Sequence, residues 1–104
     1  MTTKSNVSAK SAIRKITGPI SFGEMLHSFR ISNEYTQVMM AEILGISKQE
    51  LCNIEKGRKH VSVERAKNFS EALGMPSKVF AKYALQDQLI LAGIAGIVEI
   101  KEAA

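Results

Sequence analysis

On a helical wheel at about 100° per residue, residues 48 to 56 separate into two chemistries. Leu51 and Ile54 gather on one side. Lys48, Gln49, Cys52, Asn53 and Lys56 gather on the other, with Glu50 and Glu55 at the boundary. Lysines and side-chain amides bond base edges and phosphates. A solvated helix face more usually mixes Glu with Lys across its exposed side. Here the acids stand off the centre of the stripe, as a phosphate-facing surface requires. Beyond Gly57, Arg58 and Lys59 continue the positive charge.

The other reactive side chains point to no second chemistry. Cys52 is the single cysteine, so it forms no internal disulfide and no cysteine-based metal site, which fits a reducing cytoplasm. Within the stripe it reads as a small side chain that could lie against a base, such as a thymine methyl, rather than as a redox switch. His27 and His60 are too isolated for a metal site. His27 is expected to pack or cap on its own helix, and His60 to add a phosphate contact. Asp87 is the only aspartate, and no glycine-rich phosphate loop or Ser/His/Asp set is present. Neither catalysis nor a cofactor is expected. Glu55 reads as a structural acid pairing locally.

The elements that must hold this stripe are legible from their stops. Ser21-x-x-Glu24 is a capping box opening "SFGEMLHSFRIS", with Phe22, Met25, Leu26 and Phe29 as its apolar stripe. Thr36 caps "QVMMAEIL", which stops at Gly45. A second capping box, Ser47-x-x-Glu50, opens "KQELCNIEK", which stops at Gly57. Ser62 caps "VERAKNFSEAL", with Val63, Ala66, Phe69 and Leu73 inward. A fifth helix follows Pro76 through "SKVFAKYALQDQLILA". No period-two strand pattern or repeat interrupts them. The fold class is therefore all-α, with five helices. A helix, a tight turn at Gly45 with Ile46 beneath it, and a second helix at a steep angle form a helix-turn-helix, and small Ala41 allows the close crossing.

The chain of 104 residues suits one domain, and its 45% apolar content supplies one small core. No apolar run reaches membrane-spanning length, and no secretory signal opens the chain. Net charge is +4. Lys4, Lys10, Arg14 and Lys15 carry the whole excess, because residues 21–104 hold ten bases and ten acids. Residues 1–20 read as a basic disordered arm, and 21–104 as the folded, DNA-binding and dimerising unit. On charge alone, the basic arm plus the Lys56, Arg58, Lys59 cluster suits either a polyanion partner or a solubilising tail with an ordinary charged face.

Residues 36–75 resemble the Cro/CI (Xre) family of helix-turn-helix regulators. The resemblance lies in Thr36-Gln37, Met40-Ala41, Leu44-Gly45-Ile46-Ser47, Ile54-Glu55-Lys56-Gly57-Arg58 and Ala72-Leu73-Gly74. It implies a five-helix lambda-repressor-like domain that reads double-stranded operator DNA as a homodimer. Carried onto this chain, Gln37 contacts phosphate and braces the recognition helix. Lys48, Gln49 and Asn53 reach bases or nearby phosphates, and Lys56, Arg58 and Lys59 hold the backbone. Ser47 and Cys52 complete the DNA-facing set. Met39 and Ile43 depart from the family pattern, being apolar where polar residues are usual. They read as core filling, with a contact for another chain as the alternative.

Two apolar features remain. The tail "LILAGIAGIVEIKEAA" exceeds the needs of the core. It is read as a dimer or partner surface through Leu85, Leu89, Ile90, Ile94 and Ile97, ahead of an intramolecular flap. In the arm, Ala9, Ala12, Ile13 and Ile16 fall at i, i+3, i+4 and i+7, a pattern that folds on a partner. A short helix-turn-helix chain with such a flank is similar to HigA-type antitoxins. That resemblance implies a cytoplasmic, nucleoid-associated bacterial repressor of its own operon. It also implies neutralisation of a small RelE/HigB-like ribonuclease toxin, with Val7, Ile13, Ile16 and Ile20 as anchors. The alternative is a stand-alone repressor whose arm contacts DNA.

Overall fold

The computed structural model describes residues 20–101; Val7, Ile13 and Ile16 lie outside the described residues. Helices α1 (Phe22–Ser32), α2 (Gln37–Leu44), α3 (Lys48–Glu55), α4 (Val63–Ala72) and α5 (Ser77–Leu91) follow one another, and no strand occurs among the described residues. Each of the first four starts at a hydroxyl side chain. Ser21, Thr36, Ser47 and Ser62 accept the N–H of the third helical residue, satisfying one of the orphan donors that every helix start leaves. α5 begins at Pro76 without a side-chain cap. Packing against α4 sets its place instead.

Only at Ser21 is the capping box complete, with Glu24 Oε1 returning to the Ser21 N–H at 2.9 Å. Across the fold, both Asp87 carboxylate oxygens accept the Phe22 N–H, at 3.2 and 3.3 Å. A residue of α5 thus finishes the start of α1. Burial pushes Asp87 above the usual carboxylate range, over the opposing pull of the Phe22 N–H and of His60. His60 Nδ1 stands 3.8 Å from Asp87 Oδ2. It therefore faces the domain rather than simply extending the basic loop.

The core joins Phe22, Leu26, Met40, Leu51, Ile54, Val61, Ala66, Phe69, Phe80 and Ala84, all buried. Phe22 and Phe80 meet edge to face at 5.9 Å between centroids, and Phe29 and Phe80 do so at 6.2 Å, the arrangement the ring quadrupole favours. α4 and α5 form the largest helix pair, while α1 packs on both α3 and α5. Val63, read as inward, is exposed, because the chain turns Val61 into the core just before the Ser62 cap.

After Gly93 the chain reverses. Residues 96–98 return to α5, where buried Gln86 donates to the Gly96 carbonyl and accepts the Val98 N–H, both at 2.8 Å. The tail therefore folds back on its own helix, while none of its residues joins the core. Leu89 is half-buried, whereas Leu85, Ile90, Ile94 and Ile97 stay exposed, the last at 73%.

A contact that periodicity does not reveal fixes α1 against α3. Gly23 faces the end of α3 so closely that a Cβ there would run into the Ile54 carbonyl oxygen. Any side chain must separate the two helices. Gly23→Ala is expected to lower unfolding free energy by about 1–3 kcal/mol or more, the cost of overpacking against unyielding backbone. A denaturant melt followed by circular dichroism measures this; an unchanged midpoint would show that the approach is not tight.

Candidate nucleic-acid interface

Gly45, at φ 71°, is the left-handed residue that ends α2. The Ile46 N–H then bonds back to the Ala41 carbonyl at 3.0 Å, and half-buried Ile46 packs against the core. Two residues after Gly45, Ser47 caps α3. Three residues thus suffice to swing α3 away from α2, and Ala41, 3% exposed, leaves room for the crossing.

α3 buries Leu51 and Ile54 completely. On its opposite side Lys48, Gln49 and Lys56 are exposed, and Cys52 and Asn53 are half-buried. Gln49 Nε2 donates to Asn53 Oδ1 at 3.2 Å, so the two amides one turn apart form a pair with a free oxygen at one end and a free amide at the other. The Asn53 backbone carbonyl accepts the Arg58 N–H at 2.8 Å and the Lys59 N–H at 3.2 Å. Gly57, at φ 78°, permits that tight return. The cationic loop is therefore tied directly to the helix carrying the amide pair.

Glu55 closes the site from beneath. Its Oε2 accepts Arg30 Nε at 2.7 Å, and its Oε1 accepts Arg30 Nη2 at 3.1 Å, a two-pronged pair across α1 and α3. Oε1 also accepts His27 Nδ1 at 3.0 Å and Gln37 Nε2 at 3.2 Å. A carboxylate only accepts, so His27 donates here, reaching across to α3 rather than capping its own helix. Burial pushes Glu55 upward, but the bonds from Arg30, His27 and Gln37 outweigh it and hold the carboxyl below its usual range. Gln37, the first residue of α2, is thereby tied to the last residue of α3. Arg30 in addition donates to the Tyr35 carbonyl at 3.1 Å, holding the α1–α2 link.

Three readings change. The second capping box is half formed: Ser47 accepts the Glu50 N–H, but the Glu50 side chain turns elsewhere. Its Oε2 meets Lys59 Nζ and Arg65 Nη2, each at 2.6 Å, which outcompete a neutral backbone donor for the carboxylate. Hydrogen bonds from Lys59 and then Arg65 hold Glu50 below the ordinary carboxylate value. Lys59 is thus ion-paired in the unbound domain, and Arg65, whose guanidinium also lies 5.3 Å over the Phe69 ring, joins the cationic edge. Second, Met39 and Ile43 are not core filling; they are 47% and 39% exposed beside Val38, because Met40, Ala41 and Leu44 already occupy the inner face of α2. Third, Ile20 is half-buried against the core, so it belongs to the domain. Nothing local in the sequence marks Arg65 and Arg30, whose partners lie 15 and 25 residues away.

A model of the helix-turn-helix family matches residues 26–80, just over half of the chain. No curated protein matches it. Among the described residues no helix is long and apolar enough to cross a membrane.

Removing the Glu55 carboxylate leaves Arg30, 9% exposed, without its counter-charge. Glu55→Ala is expected to cost about 3–5 kcal/mol of stability. Because folding lowers the Glu55 pKa, its stabilisation is present above the unfolded-state value of about 4.3 and is lost as pH falls through the folded-state value. Melts between pH 7 and pH 3 on wild type and variant should converge at the acid end. Parallel curves would show that another group sets the acid dependence.

Proposed function

The chain belongs to the Cro/CI-type helix-turn-helix family and is a DNA-binding transcriptional regulator; from that premise we propose that it is a sequence-specific repressor that also serves as an antitoxin. The observation that carries the DNA reading is the polar face of α3. Gln49 and Asn53 form one amide pair on that face, the Arg58–Lys59 loop hangs from the Asn53 carbonyl, and the whole stands on the Glu55 network. In this reading α3 enters the major groove, Gln49 and Asn53 read base edges, and Lys48 serves either bases or phosphate. Ser47, Lys56, Arg58 and Lys59 hold the backbone, Cys52 lies against the groove wall, and Gln37 touches phosphate while bracing α3. The protein acts as a homodimer on half-sites about 34–36 Å apart, one helical turn of DNA.

Gln49→Ala should relax operator preference by about 1–3 kcal/mol of discrimination, since it deletes one member of the amide pair. Arg58→Ala should weaken binding to all duplexes alike and reduce the salt slope by about 1. Fluorescence anisotropy against operator and scrambled duplexes at several salt concentrations separates them. Equal losses on both duplexes for Gln49→Ala would remove it from the reading set.

The antitoxin role rests on the arm. Its Ala9, Ala12, Ile13, Ile16 spacing offers an apolar stripe that phosphate binding does not require. Val7, Ile13 and Ile16 are the proposed anchors on a small ribonuclease toxin, and Ile20 marks where the arm joins the domain. The arm's net positive charge favours the second reading, a stand-alone repressor whose arm lies on DNA. Deleting residues 1–19 decides between them. Operator affinity that persists, together with loss of protection against a co-expressed neighbouring small basic protein, is the expected result. A sharp fall in affinity with a flattened salt dependence would place the arm on phosphate instead.

A further inference from the structure

The Gln86 side chain treats the tail as a neighbouring strand would. Its amide donates to the Gly96 carbonyl and accepts the Val98 N–H, two groups that flank Ile97 and point to one side. In an extended chain the N–H and C=O of the intervening residue point to the opposite side. Those of Ile97 make no hydrogen bond among the described residues, and Ile97 is 73% exposed. One edge of the tail is thus held by a buried amide, 2% exposed, while the other edge, unbonded among the described residues, offers a template for another strand.

We propose that this edge pairs with the same edge of a second copy, antiparallel and centred on Ile97. The sequence around that centre is complementary to itself. Ile97 meets Ile97, Ile94 meets Ile100, and Val98 meets Gly96. Glu99 falls opposite Ala95, so no like charges oppose one another along the paired stretch. Ile94 and Ile100, 53% and 38% exposed, form the apolar cross-strand pairs that flank the centre. Ile90, 51% exposed on α5 beside the Gly93 turn, extends the same apolar surface. Two chains exchange N–H···O=C bonds at Ile97 under a twofold axis, the symmetry of an isologous dimer. Gln86 is the positioning residue: it fixes which edge of the tail is outward.

This pairing rests on the homodimer reading above and is tested separately from it. Sedimentation equilibrium of the full chain at tens of micromolar is expected to show a dimer. A monomer there overturns both the dimer and the pairing. Ile97→Cys and Glu99→Cys are then made in a Cys52→Ser background and equilibrated in a glutathione redox buffer. Paired Cα atoms at the centre lie about 5.5 Å apart. At position 99 the two copies are offset by four residues, about 13 Å, beyond the roughly 7 Å a disulfide spans. The 97 variant should cross-link at least tenfold faster than the 99 variant. A chain that is dimeric yet cross-links equally at both positions, or faster at 99, overturns the tail pairing alone. Ile97→Pro removes the central N–H. It should weaken the dimer at least tenfold with unchanged helical circular dichroism; an unchanged dimer constant would also overturn the pairing.

Discussion

The buried Arg30–Glu55 pair sets the geometry on which the polar face of α3, the proposed DNA-facing surface, depends. A lone carboxylate at the end of α3 would be costly to bury, and so would a lone guanidinium on α1. Joined through two hydrogen bonds, they tie α1 to α3 in one orientation. Gln37 and His27 use the remaining acceptor capacity of the same carboxylate. Three helices thereby converge on one side chain, and the polar stripe on the far side of α3 inherits their rigidity. Such a pair is better understood as fixing an orientation than as adding large net stability, since desolvation consumes much of its attraction.

The second constraint is closeness. Gly23 lets α1 reach the carbonyl at the end of α3, and Ala41 lets α2 cross its partner. The Asn53 carbonyl then anchors the loop that carries Arg58 and Lys59. Amide pair, cationic loop and ion-paired support are consequently one rigid object. A regulator that must present several weak contacts at once gains from such preorganisation, because little side-chain and loop freedom is left to lose on binding.

Local chemistry wrote most of this into the chain. Ser21, Thr36, Ser47 and Ser62 mark four helix starts, and Gly45, Gly57 and Gly74 mark three stops; the structure has its boundaries there. The division of α3 into buried Leu51 and Ile54 against a polar stripe follows from period alone. What period could not give was the choice between competing partners. Glu50 had a backbone N–H within reach and two cations brought near only by folding, and the cations won. Met39 and Ile43 looked like core because they are apolar, but the inner face was already filled. Gln86, polar and mid-helix, gave no sign that it would hold the tail, since its partners become neighbours only after the reversal at Gly93.

That α3 and its attached loop form the DNA-facing surface is tested most directly by amide chemical-shift mapping. The ¹⁵N-labelled full chain is titrated with a duplex that the protein itself selects from a random-sequence pool. Shifts are predicted to concentrate at Gln37, Ser47–Asn53 and Gly57–Lys59, with α5 and the tail little changed. Shifts centred on Leu85–Ile97, with α3 silent, would contradict it.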